Sequence, residues 1–452
     1  MGKVSTKPPS GTRDFLPADV ARRRYVVGVI EDVYQRYGFV PLETPAFENL
    51  STLLGKYGDE GDQLLYRLLH RRDALTRALD AEEVTERNLA DQGLRYDLTV
   101  PLARVVAQYR DLPRFFKRYQ IQPVWRADRP GRGRFREFYQ CDVDMIGTES
   151  PIAEAEVLAA IAEVLTTLGF ADFTLHLNHR GLLRGLIQSA GVPLELESTA
   201  LVAVDKLDKI GAEGVTKELA ERGVEAEAGT KLLALLARGE DESDDAVDAR
   251  LAEQLESDEG QAALRALSEL RGLLSNTPAG QHLRLSPELA RGLSYYTGPI
   301  FEITVSDLAG SLGGGGRYDE LIGMFGKQPI PAVGGSIGLE RILLLMKERE
   351  MYPDLATGPE VLLCWMRVDP KDVLSVAHRL RAQGLRVETY PVSAKLGKQL
   401  QYADSAGVKA PVAAILGETE LADDQLTLKH LESGEQQKVA IAGAAEQVAR
   451  WR

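Results

Sequence analysis

The run Phe116-Lys117-Arg118-Tyr119-Gln120-Ile121-Gln122-Pro123-Val124-Trp125 leads into Arg126-Ala127-Asp128-Arg129-Pro130-Gly131-Arg132-Gly133-Arg134, then Phe135-Arg136-Glu137-Phe138-Tyr139-Gln140-Cys141-Asp142-Val143-Asp144-Met145-Ile146. Phe116–Trp125 and Phe135–Ile146 read as two β-type runs. The segment between them, rich in Gly, Pro and Arg, predicts a long hairpin with a basic loop. Alternation along the second run puts Phe138, Gln140, Asp142 and Asp144 on one face. An aromatic ring, an amide and two carboxylates suit small-molecule recognition better than core packing. An arginine at the strand end binds an oxyanion through its fixed fork of donors, and the loop beyond it reaches phosphate or a nucleic-acid backbone. A basic surface hairpin with a solvated face is the competing reading, and this stretch alone divides evenly between the two.

Working outward, Val20–Tyr37 has apolar residues at helical spacing and ends at Gly38. Phe39–Pro45 reads as a short strand, as does Leu94–Val100, with Pro101 opening a helix through Tyr109. Residues near Pro193–Ser275 are rich in Ala, Leu and Glu and read as helical. Arg284–Val305 returns to strand character, Gly310–Arg317 reads as a glycine-rich turn, and Val333–Met346 as a strand running into a helix. After a linker at Tyr352–Pro359 the pattern alternates: strands at Glu360–Val368, Arg386–Thr389 and Val412–Leu416, helices at Lys371–Gln383 and Leu396–Ala406. That alternation predicts a small α/β domain with a mainly parallel sheet.

Composition narrows the class. The chain has 452 residues, 44% hydrophobic and 27% charged, which is ordinary for a globular protein of two to four domains. No apolar run approaches the ~20 residues that span a bilayer, and the N-terminus lacks the apolar core of a signal peptide. Two cysteines, Cys141 and Cys364, exclude a disulfide framework and a Cys-rich zinc site, and the sequence offers no other metal site. A cytoplasmic location is expected. The net charge of −13 argues against a non-specific nucleic-acid binder. The charge is uneven, however: Arg110–Arg136 holds nine basic and two acidic residues, Glu240–Glu259 ten acidic and one basic, and Val361–Arg452 twelve basic and eleven acidic.

Three further stretches carry chemistry. Arg95-Tyr96-Asp97-Leu98-Thr99-Val100-Pro101 ends a strand with a carboxylate and a hydroxyl. Arg291-Gly292-Leu293-Ser294-Tyr295-Tyr296-Thr297-Gly298 sets an arginine and two tyrosines before a strand. Gly334-Gly335-Ser336-Ile337-Gly338-Leu339-Glu340-Arg341 leads glycines into a helix that carries an arginine, and glycines let a backbone approach a ligand closely. Singly, each has a bland alternative: an ion pair, a core tyrosine, a tight turn. Together with Lys7–Pro17 and Gly313-Gly314-Gly315-Gly316-Arg317-Tyr318-Asp319, they resemble the histidyl-tRNA synthetases, class II aminoacyl-tRNA synthetases, nearly end to end. Phe39–Leu50, with Pro45, is similar to the class motif of the dimer interface, Arg126–Asp144 to the second class motif and Gly334–Arg341 to the third. Arg291–Gly298 and Gly313–Asp319 resemble the two histidine-specific motifs and carry most of the identification.

The resemblance implies an α+β catalytic domain with an antiparallel sheet, split as 1–190 and 281–352 around a helical insertion at 191–280, then an anticodon-binding α/β domain at 353–452. It implies ATP-dependent activation of L-histidine to histidyl-adenylate, followed by transfer to the 3′ end of tRNA(His) by a homodimer. Arg126, Gln140 and Arg291 would be catalytic: Arg126 would hold the α-phosphate and the substrate carboxylate, and Arg291 the same phosphate from the other side. Arg341 would bind the γ-phosphate and pack over adenine, with Phe138 on the other adenine face and Asp128 nearby. Mg2+ would arrive with the nucleotide and bridge its β- and γ-phosphates. Asp97, Leu98, Thr99 and Gln140 would line the α-ammonium end. Neutral imidazole has one donor and one acceptor, which Asp144 and Tyr296 would satisfy, with Tyr295 beside the pocket. Asp144 is one methylene shorter than the glutamate of much of the family, and Ser294 stands where many members carry aspartate or asparagine. The nearest rival, a regulatory binding subunit of histidine biosynthesis, usually lacks both the arginine at 291 and the C-terminal domain. A synthetase for another amino acid would not keep Arg291–Gly298, and a non-catalytic RNA-binding module fits poorly with Arg126, Gln140, Arg291 and Arg341 together. On the C-terminal helix, Lys395, Lys398 and Gln399 read equally as anticodon-loop contacts or as solvated surface.

Overall fold

The hairpin at residues 116–146 lies inside an eight-stranded sheet. The structure, a computed structural model, describes residues 4–55, 63–239, 241–290, 295–326 and 328–451. It divides into two compact units, Met1–Pro353 and Asp354–Arg452. Strands of the first unit, in chain order, are β1 (Val40–Pro41), β2 (Phe47–Asn49), β3 (Arg67–Leu69), β4 (Ala90–Leu94), β5 (Phe116–Trp125), β6 (Glu137–Ile146), β7 (Thr174–His179), β8 (Leu283–Leu285), β9 (Pro299–Thr304), β10 (Gly313–Arg317) and β11 (Ala332–Gly338). The large sheet runs β1-β5-β6-β11-β10-β9-β7-β8; β2, β4 and β3 form a small separate sheet. Pairing in the large sheet is antiparallel except at its edges, where β1 joins β5 and β8 joins β7 in parallel. This is the mainly antiparallel catalytic sheet that the resemblance implies.

Register explains how the sheet separates core from site. Cys141, Val143, Ile337, Phe301, Ile303, Leu175 and Leu177 are all buried in one apolar cluster. They sit at alternate, cross-strand-matched positions. Against that layer packs helix Ile152–Thr167, which is apolar on nearly every side. Helix α1 (Pro17–Arg36) and helix Asp258–Leu274 flank it in turn. The opposite face of the same strands carries Arg118, Gln120, Gln140, Asp142, Asp144 and Ser336. A period-2 sequence buried on both faces is thus apolar on one and polar on the other, and the polar side needs partners.

Three readings of the sequence differ from the structure. Gly310–Arg317 is not a turn, because residues 313–317 form interior strand β10. The glycines serve close packing: a Cβ at Gly316 would lie 2.6 Å from Pro299 O and 2.9 Å from Tyr296 Cδ1, and one at Gly335 2.5 Å from Phe301 Cζ. Leu94–Val100 is also not one strand. β4 stops at Leu94 and a helix, α2 (Thr99–Gln108), starts two residues before Pro101. Asp97 Oδ1 accepts from Val100 N at 3.3 Å and so caps that first turn, where Pro101 has no helical N–H to lose. Of Phe39–Pro45, only Val40–Pro41 pairs as a strand.

Between β7 and β8 the chain is helical, with helices at Arg180–Ser189, Glu197–Val204, Leu207–Glu221, Ala226–Leu236, Asp244–Gln254 and Asp258–Leu274. The second unit has a sheet ordered β13-β12-β14-β15-β16, with β12 (Val361–Trp365), β13 (Val387–Thr389), β14 (Val412–Leu416), β15 (Gln425–His430) and β16 (Gln436–Ala440). Its first three strands are parallel, as the alternation predicts. The last two form an antiparallel hairpin, so the sheet is mixed rather than mainly parallel. On helix Leu396–Ala403, Lys395 and Lys398 are exposed but Gln399 is not. Gln399 accepts from Trp365 N at 3.0 Å and donates to Trp365 O and Ala394 O at 2.8 Å each, so it is neither a surface residue nor available to RNA.

Candidate active site

The polar face forms a trough along β6. At ~3.4 Å per strand residue, Phe138, Gln140, Asp142 and Asp144 stand about 7 Å apart, and the row covers roughly 20 Å. The Phe138 end meets the basic loop and the Asp144 end meets a tyrosine cluster. A ligand lying along this face would meet arginines at one end and buried carboxylates and tyrosines at the other.

Arg126 leaves β5 at the open end. Its Nε donates to Tyr96 O at 2.9 Å, and its guanidinium lies 5.2 Å from the Phe138 ring centroid. Arg126 N bonds Arg136 O, and Ala127 N bonds Leu64 O, which fixes the base of the loop. The returning arm of the loop is held by Arg136 N to Gly11 O at 2.7 Å and by Arg13 stacked between Phe15 and Phe135; the Lys7–Pro17 stretch therefore serves as a buttress. Asp128 pairs with Arg134 at 3.4 Å. Arg341, in the first turn of helix Leu339–Glu348, donates to Ser311 O. Burial, with the nearby Arg134 charge, holds the Arg341 guanidinium below its ordinary range, against the pull of Glu302. A half-buried arginine with a second cation beside it is suited to an anion, which would offset both the burial and the repulsion.

Gln140 donates to Ser336 Oγ at 2.9 Å, and its Oε1 is buried without a protein partner. Asp97 and Leu98 are buried and Thr99 half-buried. Burial pushes the Asp97 carboxyl up to about 7, opposed chiefly by the Arg126 charge. Arg95 holds this segment in place: its Nη1 donates to Pro45 O at 2.9 Å and to Gln122 Oε1 at 3.0 Å, and its Nε to Pro123 O at 3.0 Å.

Tyr295 and Tyr296 are buried with ring centroids 4.7 Å apart, and Tyr318 meets Tyr295 edge-on at 6.0 Å. Tyr318 donates its O–H to Asp144 Oδ1. Asp144 and Asp142 are both buried, and burial raises both carboxyls, Asp142 to about 7, while Arg118 pulls them down. Below them, Arg317 forms a bidentate pair with Glu154 at 2.6 and 2.8 Å and meets Asp319 at 3.1 Å. Thr297 N donates to Arg317 O at 2.8 Å, so the segments 295–298 and 313–319 are joined by backbone.

The structure thus brings Asp97, Leu98, Thr99, Arg126, Phe138, Gln140, Asp144, Tyr295 and Tyr296 to one trough, with Asp128 and Arg341 towards its basic end. Arg291 and Ser294 lie outside the described residues. Sequence reading passed over Arg118, Tyr318 and Ser336 as site residues. Hairpin register was the available signal for Arg118: once Trp125 is set opposite Glu137, Arg118 falls opposite Asp144. Tyr318 gave none beyond its place in the glycine-rich motif.

Known proteins resemble the chain over nearly its whole length. A family model described as histidyl-tRNA synthetase matches residues 11–342, and one described as an anticodon binding domain matches 367–451. A histidine–tRNA ligase of Christiangramia forsetii is 41% identical, covering 96% of this chain and 97% of its own length. One from Gloeobacter violaceus is 42% identical over 99% of both chains. The crystal structure of histidyl-tRNA synthetase from Nostoc sp. PCC 7120 superposes with a TM-score of 0.80 at 32% identity, covering 99% of this chain and 100% of that one. Likeness at this identity, over essentially the whole length and both units, makes the chain a member of the histidyl-tRNA synthetase family.

Proposed function

We propose that this chain activates L-histidine with ATP and transfers it to the 3′ end of tRNA(His). The single observation that carries the reading is the trough itself: β6 and its neighbours put a basic, aromatic-lined end and a carboxylate–tyrosine pocket on one sheet face. An aminoacyl-adenylate carries its groups in that order, nucleotide and phosphate at one end and amino-acid side chain at the other.

In this reading the substrate carboxylate attacks the α-phosphorus, and the protein positions groups and neutralises charge. Arg126 holds the α-phosphate and the carboxylate, and its contact with Tyr96 O fixes the direction of the fork. Phe138 stacks on adenine, Asp128 lies near it, and Arg341 takes the γ-phosphate. Arg291 is assigned to the reacting phosphate. Gln140, with an open Oε1, and Asp97, Leu98 and Thr99 receive the α-ammonium. Asp144 and Tyr296 take the two imidazole nitrogens beside Tyr295. A pocket that leaves such groups unpaired with the wrong side chain discriminates by ~10⁴-fold or more. Mg2+ would come with the nucleotide and offset the charge of its phosphates; Glu302, close enough to attract Arg341, is the carboxylate at that end that would help hold it. Among the described residues no cluster of three acidic, His or Cys side chains forms a metal site.

Residues 1–190 and 281–352 are read as the catalytic domain, 191–280 as its helical insertion, and 353–452 as the anticodon-binding domain. Homodimerisation is supported by Val40 and Phe47, large apolar side chains about half exposed in the dimer-motif stretch. No helix among the described residues is long and apolar enough to cross a membrane, which fits the proposed cytoplasmic location. The test is pyrophosphate–ATP exchange with each of the twenty amino acids. Exchange with histidine alone is expected; no exchange with histidine, or equal exchange with another amino acid, overturns the reading.

A further inference from the structure

Arg118 has no role in the assignments above, yet its side chain is fully buried on β5, directly across from Asp144. Nη2 lies 2.9 Å from Asp144 Oδ2, 3.8 Å from Asp142 Oδ2 and 3.4 Å from Leu98 O, and Nη1 donates to Gln120 Oε1 at 3.2 Å. One guanidinium therefore touches both the strand that carries Asp144 and the Asp97–Thr99 segment. Asp144 is held from two more sides: Tyr318 donates to its Oδ1, and its carboxylate lies against Gly334, in space that a Cβ there would fill. Asp144 Oδ2 nevertheless has no aligned hydrogen-bond donor, since the Arg118 ion pair is off line. A carboxylate accepts at about four lone-pair sites, so this buried oxygen keeps capacity for a donor arriving from the trough. Without the cation, a carboxyl so deeply buried takes up a proton and becomes a donor. Asp142 competes for the same cation from farther away, and its Oδ1 is buried without a partner.

We propose that Arg118 is a specificity-determining positioning residue: it holds the Asp144 carboxylate, with acceptor capacity left on Oδ2, as the acceptor for a ring N–H of the amino-acid substrate, and ties that acceptor to the Asp97–Thr99 segment. The proposal rests on the histidine reading and adds to it a residue that touches no substrate. It also accounts for how the short side chain of Asp144 serves, since its reach is fixed by β6 and its orientation by the arginine.

The test is discrimination by the full-length protein. Pyrophosphate exchange is measured with histidine and with thiazol-4-ylalanine, whose ring has sulfur in place of N–H. Arg118→Met keeps most of the side-chain volume and removes the charge. The ratio of kcat/KM for histidine to that for the analogue should fall about 10- to 100-fold, the worth of a charge-assisted hydrogen bond. The fall should appear in the KM for histidine, with the KM for ATP unchanged. A merely structural arginine would lower activity with both amino acids alike, and an unchanged ratio overturns the proposal. If Arg118→Met does not fold, Arg118→Lys carries the test: it keeps the charge but cannot reach Asp144 and Leu98 O together, so the ratio should fall by less, and again no fall overturns it. Wild-type protein without histidine-dependent exchange would overturn the functional reading instead, whatever Arg118 does.

Discussion

Gly334→Ala and Gly335→Ala add the same methyl group to adjacent positions of β11 and should fail in different ways. A Cβ at 334 falls within the Asp144 carboxylate and 2.9 Å from Val143 O. To restore a carbon contact of about 3.5 Å the carboxylate must retreat by roughly 1 to 1.5 Å. Misplacing a binding group by that distance costs on the order of 100-fold in rate; the overpacking itself costs about 1–3 kcal/mol. A Cβ at 335 points to the other face, 2.5 Å from Phe301 Cζ and 3.0 Å from Ile161 Cδ1, so its cost falls on the core. Pyrophosphate exchange and thermal unfolding, run side by side, separate the two. Gly334→Ala should raise the KM for histidine far more than that for ATP, with a modest loss of stability. Gly335→Ala should lower the unfolding temperature more, with the histidine KM close to wild type. A wild-type histidine KM in Gly334→Ala would refute the assignment of Asp144 to the amino-acid pocket.

Two further outcomes follow from other parts of the molecule. Burial raises the Asp97 carboxyl from 3.8 to about 7, so between those values the folded protein keeps a proton that the unfolded chain releases, and this carboxyl lowers stability as the pH rises through the window, by at most roughly 4 kcal/mol above pH 7; Asp97→Asn should therefore gain more in unfolding temperature relative to wild type at pH 8 than at pH 5, and an equal difference at both would contradict the buried-carboxyl account. Gln399→Ala strips partners from Trp365 N, Trp365 O and Ala394 O and should destabilise the second unit by about 2–5 kcal/mol, as seen in chemical denaturation, whereas an unaltered stability with weakened tRNA binding would restore Gln399 as an RNA contact.

What sequence reading reached depended on whether a pattern was local. The hairpin was legible because alternation and its basic loop lie within 31 consecutive residues, and the face bearing Gln140, Asp142 and Asp144 followed from period 2 alone. The glycines of β10 were misread because glycine signals a turn by its local freedom, while here it answers contacts with Pro299, Tyr296 and β11 that no neighbouring residue announces. Gln399 was misplaced for a related reason: Leu396, Gln399, Leu400 and Ala403 share the inward side of their helix, but a glutamine among lysines looks like surface. Asp97 was seen as a site residue, while its second task, capping helix α2 and so moving the strand end back to Leu94, required the fold.

The join between β6 and β11 has a consequence for the making of the protein. Ile146 lies opposite Ala332, a strand partner that the ribosome adds 186 residues later. At about 5–20 residues per second, this is a wait of roughly 10 to 40 s. During it β6 has β5 on one side and an unsatisfied edge on the other, with Asp142 and Asp144 already in place but Gly334 and Tyr318 not yet synthesised. The helical residues between β7 and β8 are made in that interval, so the nascent chain carries an open sheet edge, a template for unwanted pairing, while they are added. Chaperone demand and translation speed should therefore bear on the yield of active protein most strongly while residues 147–331 are being added, and the amino-acid pocket is among the last features of the first unit to be completed.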